Sequence, residues 1–166
     1  MKIENLTIRE KLRLICGKDY CHTEDFGGKL PSVTMSDGPV GVRQTVPKGD
    51  GNEETVPAVA YPSVQMLANT WNKELAYQLG ESLASDCAEH NVDLLLAPGV
   101  NIKRSPVCGR NFEYFSEDPL LSGVLAAAIT QGVQSRPGRG VTIKHFACNN
   151  QEDNRMGVDV RASEKA

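Results

Sequence analysis

VTIKHFACNNQE, residues 141–152, is the stretch on which the reading of this chain turns. Val141-Thr142-Ile143 is a short β-branched apolar run, the composition of a buried strand, and it ends on an adjacent lysine and histidine, Lys144 and His145. A charged pair at the carboxyl end of a buried parallel strand is costly to desolvate, so it more often serves a ligand than a core. The same arrangement occurs twice upstream. Val33-Thr34-Met35 runs into Ser36-Asp37-Gly38-Pro39, and Val92-Asp93-Leu94-Leu95-Leu96-Ala97 runs into Pro98-Gly99 and a loop carrying Gly109-Arg110-Asn111-Phe112-Glu113.

Between these runs the apolar spacing changes to the helical period. Thr7 and Glu10 form a capping-box pattern, followed by Ile8, Leu12 and Ile15, and the helix is expected to stop at Gly17. A strand is expected at roughly 32–36, then a long polar loop over 44–62. The second helix is expected over about 73–89, with Leu75, Leu79, Leu83 and Cys87 on one stripe and Asn91 as its C-cap. A second strand follows at 92–97. Ser116 as N-cap, the acids Glu117 and Asp118, and Pro119 announce a third helix to about Gln134, with Leu120, Leu121, Val124, Leu125, Ala128 and Ile129 buried. A third strand starts at Val141, and a further helix is expected to begin within 161–166.

Helix, strand, helix, strand, helix, strand argues for an α/β fold with a parallel sheet and right-handed crossovers. Local pattern alone does not choose between a doubly wound sheet and a (β/α)₈ barrel. The first strand-to-helix turn narrows the ligand instead. Asp37-Gly38-Pro39-Val40-Gly41 aims a carboxylate at the site and carries neither a GxGxxG nor a GKS/T pattern, so it repels phosphate and suits a neutral, hydroxyl-rich ligand.

The 166 residues are 40% hydrophobic and 23% charged, which is the composition of one globular domain with a real core. A net charge of −3 with scattered lysines and arginines leaves no basic face, so no nucleic-acid partner is expected. No stretch approaches the roughly 20 apolar residues that cross a bilayer, and the amino-terminal segment is too polar for a secretory signal, so no membrane partner and a cytoplasmic location are expected. Five cysteines at irregular spacing read as reduced thiols in buried apolar positions. Neither Cys16, Cys21 and His22 nor Cys87 and His90 have paired zinc-site spacing.

A sugar-binding pocket needs a carboxylate to accept from adjacent hydroxyls and cationic donors to bond their oxygens. Asp37, Arg110, Lys144 and His145 are such a set. In that arrangement Asp37 accepts two hydroxyl protons, Arg110 and Lys144 donate to hydroxyl oxygens, and His145 donates through one ring nitrogen. Each also has an ordinary role open to it. Asp37 can stabilise its turn, Arg110 can pair with Glu113 or Glu117, Lys144 can reach the surface, and His145 can sit satisfied in a core.

MSDGPVGVR at 35–43, YPSVQMLANTWN at 61–72, DLLLAPGVNIKRSPVCGRNFEYFSEDPLLSG at 93–123 and KHFACNNQEDNR at 144–155 together resemble the N-terminal domain of glycoside hydrolase family 3, in its β-glucosidase branch. LTIREKLRLICG at 6–17 resembles the helix that opens that domain. The resemblance implies a (β/α)₈ barrel, of which this chain supplies the first three to four β/α units, and retaining hydrolysis of terminal β-D-glucosyl residues from a β-glucoside or oligosaccharide. It implies glycone contacts from Asp37, Arg110, Lys144 and His145, and neither a metal nor an organic cofactor. Relatives acting on N-acetylglucosaminides usually read KHFPGHGDT where this chain reads KHFACNNQE.

Retaining hydrolysis needs two carboxyl groups about 5–5.5 Å apart. The family's nucleophilic aspartate, in an SDW-type motif, and its acid/base glutamate have no counterpart in residues 1–166, so these residues alone are expected to be inactive, leaving a non-catalytic carbohydrate-binding or remnant domain as the alternative. Glu113, Glu152 and Asp153 are the carboxylates nearest the site in sequence. A full barrel takes around 250 residues, so an open sheet edge, and with it either marginal stability or self-association through that edge, is also expected.

Overall fold

A computed structural model describes residues 3–164. Three parallel strands carry the fold: β1 (Met35–Asp37), β4 (Leu94–Leu96) and β5 (Gly140–Val141), in the order β1-β4-β5. Met35 lies opposite Leu94 and Asp37 opposite Leu96, while Leu94 and Leu95 face Gly140 and Val141. Asp93 ties the amino ends of all three together, one oxygen accepting from the Thr34 amide at 2.9 Å and the other from Arg139 at 2.8 Å. β4 and β5 are shorter than their apolar runs, and β1 lies at the carboxyl end of its run. The flanking residues still bond to the neighbouring strand, as when Thr142 N–H, just past β5, donates to Leu95 of β4 at 2.8 Å.

The helices are α1 (Ile8–Cys16), α2 (Val64–Asn69), α3 (Lys73–Glu89) and α4 (Pro119–Gln134). The capping box of α1 is present, with Thr7 N–H on Glu10 Oε2 at 2.8 Å and Glu10 N–H on Thr7 Oγ1 at 3.2 Å. Its stripe of Ile8, Leu12 and Ile15 is exposed, however, and none of its residues is buried. α3 has the expected bounds, and Asn91 follows it with a left-handed φ of 56°. α2 lies between the expected loop and α3, where no element was expected; Ser63 caps it and Val64, Leu67 and Ala68 bury one face.

α4 is capped by Asp118 rather than Ser116, its carboxylate accepting from Leu120 and Leu121 N–H at 2.7 and 3.1 Å. Ser116 supports the cap by accepting from Asp118 N–H at 3.0 Å. Leu120 and Val124, expected inside, are exposed, and the buried face is Ser122, Leu125, Ala126, Ala128, Ile129, Gly132 and Val133. The rotation follows from small residues. α3 and α4 meet through Gly80 and Gly132, where a Cβ on Gly80 would collide with the Ile129 carbonyl oxygen and come 2.8 Å from Gly132 Cα. So close an approach draws the glycine and alanine side of α4 inward and turns two larger side chains outward.

The polar loop expected over 44–62 contains a two-stranded antiparallel hairpin, β2 (Thr45–Pro47) and β3 (Glu53–Thr55). Its strand residues are all exposed, so no apolar alternation marked it, and Gly49 and Gly51 adopt left-handed φ values of 83° and 86° in its turn. The core is one cluster in which Leu83, Cys87, Val92, Leu95, Phe115, Leu125, Ile129 and Val133 meet between the sheet and α3 and α4. Leu95 faces that core fully buried, whereas Leu94 and Leu96, on the opposite face of the strand, are only partly covered.

Cys87 and Cys108 are buried, and Cys16 and Cys21 are exposed, which corrects the expectation that the thiols serve as buried apolar groups throughout. Burial pushes the Cys87 thiol up to about 11, away from the thiolate a metal would need. Among the described residues no helix is long and apolar enough to cross a membrane. The helix expected to begin within 161–166 is absent from residues 161–164, and residues 165–166 lie outside those described.

Candidate functional site

The carboxyl ends of the three parallel strands converge on one polar cluster. Asp37 is the last residue of β1. Past β5 the chain stays parallel to the segment leaving β4, with Lys144 N–H donating to Pro98 at 3.0 Å and Val100 N–H donating to Lys144 at 2.7 Å. The Lys144–His145 and Phe146–Ala147 peptides are cis. Lys144 Nζ lies 2.6 Å from Asp37 Oδ1 and 3.4 Å from Glu113 Oε2. Arg110 leads a 3₁₀ turn, Asn111–Glu113, and donates through Nε to Glu113 Oε1.

Arg110 Nη2 lies 2.7 Å from His145 Nε2, and Tyr114 Oη lies 2.8 Å from His145 Nδ1. The chain of contacts continues through Asn149 Nδ2, which donates to Tyr114 Oη at 2.8 Å and to Glu152 Oε1 at 3.0 Å. Arg155 closes it on Glu152 Oε2 at 3.1 Å. An unbroken line of polar contacts thus runs from Asp37 to Arg155, holding three cations and three carboxylates. Balanced charge of this kind favours a neutral ligand over a phosphate.

All four residues singled out in the sequence are brought together, and they are paired with one another or with Glu113. One Asp37 oxygen is occupied by Lys144, and its side chain remains 47% exposed. Arg110 takes the Glu113 pairing that was open to it. His145 has both ring nitrogens engaged by protein partners. Glu113, 3% exposed, and Tyr114, fully buried, hold the centre of the cluster, and sequence reasoning gave neither a binding role. Their only sequence signal is position, next to Arg110 in the same loop. A cavity of 540 Å³ adjoins the cluster, with Arg110, His145, Phe146, Asn149, Arg155 and Asp159 among its walls.

Burial opposes the Arg110 charge, but the Glu113 carboxylate outweighs it and holds the guanidinium above its ordinary value. Burial, then the Arg110 charge, pushes His145 below its usual 6.5. The charged and titratable groups around the ring are Arg110, Lys144, Asp37, Glu113 and Tyr114. Folded protein therefore refuses a proton that the unfolded chain accepts below about pH 6.5, so this contribution to stability is whole above that pH and is lost as pH falls. Urea unfolding of the wild type and of His145→Gln is expected to diverge as pH falls below about 6.5, the wild type losing stability more steeply, by at most about 1.4 kcal/mol per pH unit. Parallel slopes would show that the ring titrates normally.

Polar side chains gathered at the carboxyl ends of successive parallel strands, backed by helices, define the class of (β/α) domains that build their sites at that rim. The chain belongs to glycosyl hydrolase family 3, whose N-terminal domain model matches residues 27–165, and it forms the first part of a (β/α)₈-type barrel. It is 48% identical over 98% of its length to thermostable β-glucosidase B of Acetivibrio thermocellus, of which it covers 22%. It is 44% identical over 99% of its length to the exo-α-(1→6)-L-arabinopyranosidase of Bifidobacterium longum, again covering 22%. The structure of β-glucosidase 3B from Thermotoga neapolitana in complex with glucose matches 92% of the chain at TM-score 0.79 and 41% identity, with 23% of that protein covered. The chain thus spans about a fifth of the length of these relatives.

Proposed function

We propose that these residues form the glycone-binding part of a β-glucosidase-type retaining glycoside hydrolase, with Asp37, Arg110, Lys144 and His145 receiving the terminal sugar. The observation that carries this is the charge-balanced cluster at the strand ends, where Asp37 and Lys144, 107 residues apart in sequence, meet at 2.6 Å. A neutral sugar can exchange those contacts for its own hydroxyls without leaving a bare charge. The names of the similar proteins support the substrate class, and the glucose in the Thermotoga structure supports the ligand. The five unpaired cysteines, two of them exposed, support a cytoplasmic location.

The 166 residues on their own are proposed to bind without hydrolysing. Asp37, Glu113 and Glu152 are each held by a cation, and Asn149, more than any other group, keeps the Glu152 carboxyl below its ordinary range. A general acid needs the opposite shift. The same open edge at β5 supports self-association of this piece, since no strand among the described residues pairs with its outer side. The arabinopyranosidase relative favours a second reading of the glycone, an α-L-arabinopyranoside in place of a β-D-glucoside.

The test is turnover of aryl β-D-glucoside and aryl α-L-arabinopyranoside by the natural protein that contains these residues, with Asp37→Asn and Lys144→Ala beside the wild type. Each substitution removes a hydrogen bond to a charged group, worth about 1.5–3 kcal/mol, so kcat/KM is expected to fall about 10- to 100-fold. Unchanged kinetics in both variants would sink the binding assignment, and the preferred aryl glycoside decides the sugar.

A further inference from the structure

His145 is the one sugar-facing residue whose chemistry is ambiguous, because neutral imidazole carries its proton on either nitrogen. Its surroundings remove the ambiguity. A guanidinium has five donors and no acceptor, so Arg110 Nη2, 2.7 Å from Nε2, can only donate, and Nε2 must present a lone pair. The ring proton then sits on Nδ1, 2.8 Å from Tyr114 Oη, and the phenol accepts it. Glu152 orders the next link. Its carboxylate accepts from Asn149 Nδ2 at 3.0 Å, which orients that amide so that its second N–H donates to Tyr114 Oη at 2.8 Å. Tyr114 is fully buried, and its ring meets that of His145 edge to face at 5.9 Å, so the phenol is not free to turn away.

We propose that Arg110 and Tyr114 together lock His145 in the Nδ1–H tautomer, Arg110 by donating to Nε2 and Tyr114, as a positioning residue, by accepting from Nδ1, so that His145 offers the site a lone pair and not a proton. This rests on the glycone-binding reading and deepens it. A sugar hydroxyl reaching Nε2 must donate, and where none does, Arg110 takes the lone pair and is aimed by it. The expectation that His145 donates to the sugar is thereby reversed. Its donor bond is spent inward on Tyr114, and the bond it can make outward is one of acceptance. Ligands presenting a hydroxyl donor at that point are favoured over those presenting only an ether or carbonyl oxygen, because two facing lone pairs repel.

The experiment is nitrogen-15 NMR of the full chain labelled in histidine, above pH 7.5, on wild type and Tyr114→Phe, with and without glucose. In the wild type one histidine is expected to show a protonated Nδ1 and an unprotonated Nε2. His145→Gln assigns it by removing the signal. In Tyr114→Phe, with folding checked by circular dichroism, the buried Nδ1–H loses its acceptor while Arg110 keeps Glu113 as a partner, so the signal moves toward the Nε2–H form. Glucose affinity is expected to weaken about fivefold, as for one lost hydrogen bond. An Nε2–H ring in the wild type, or an unaltered tautomer in a folded Tyr114→Phe, overturns the proposal. Failure of the glycone reading has a different signature: the tautomer is as stated, but glucose shifts nothing in the wild type.

Discussion

Replacing Glu113 by Ala is expected to remove about 3–5 kcal/mol of stability, the usual cost of stripping one partner from a buried ion pair. The carboxylate is 3% exposed and neutralises two cations at once, Arg110 and Lys144, whose side chains are only 24% and 13% exposed. Without it those charges face each other across a small void, with Asp37 left to compensate Lys144 alone. Since domains are stable by about 5–15 kcal/mol in total, such a loss is a large part of the whole. Glu113→Gln keeps the shape and one acceptor, so it is expected to fall between wild type and Ala. Equilibrium urea unfolding measures both, and a loss below about 1 kcal/mol for Glu113→Ala would mean that solvent screens the pair as at an exposed site.

Gly132→Val is expected to prevent recovery of folded protein, and Gly132→Ala to destabilise it by about 2–3 kcal/mol through overpacking. A Cβ there would collide with the Tyr77 carbonyl oxygen and lie 2.8 Å from Gly80 Cα. Both obstacles are backbone, so α3 and α4 would have to separate. Helix propensity acts the other way, since Ala in a helix interior is better than Gly by about 0.8–1 kcal/mol, and the clash is the larger effect. Gly123, in the same helix, provides the contrast, because a Cβ added there meets nothing within 4 Å. Gly123→Ala is expected to raise stability by up to about 1 kcal/mol. Thermal unfolding of the three variants decides the matter, and a Gly132→Ala protein at least as stable as Gly123→Ala would show that the helices are not held at this contact.

These two positions differ in how visible they were beforehand. Glu113 stood in the sequence as a carboxylate three residues from Arg110, and pairing between them was an open possibility. Its second partner, Lys144, lies far along the chain and could not be inferred from spacing. Gly80 and Gly132 lie inside helices, where local propensity assigns each only a small penalty. Their value appears only when the two helices are laid against each other. The same contact explains why Leu120 and Val124 are exposed despite correct helical spacing, because periodicity gives the stripe but not which edge of it a neighbour covers.

Read as text, the chain already specified the alternation of strands and helices, the capping box of α1, the extent of α3, the family, and the four residues that meet at the strand ends. Such features depend on neighbours within a turn or a pleat, or on motifs that survive as contiguous text. The hairpin at 45–55, the Asp118 cap, the Gly80–Gly132 contact, and the web in which Glu113, Tyr114 and Asn149 hold Arg110, Lys144 and His145 came into view only with the folded chain. The reason is range. Which nitrogen of His145 carries a proton depends on an arginine 35 residues away and a tyrosine 31 residues away, and hydrogen-bond direction exists only once those atoms stand 2.7 and 2.8 Å from the ring.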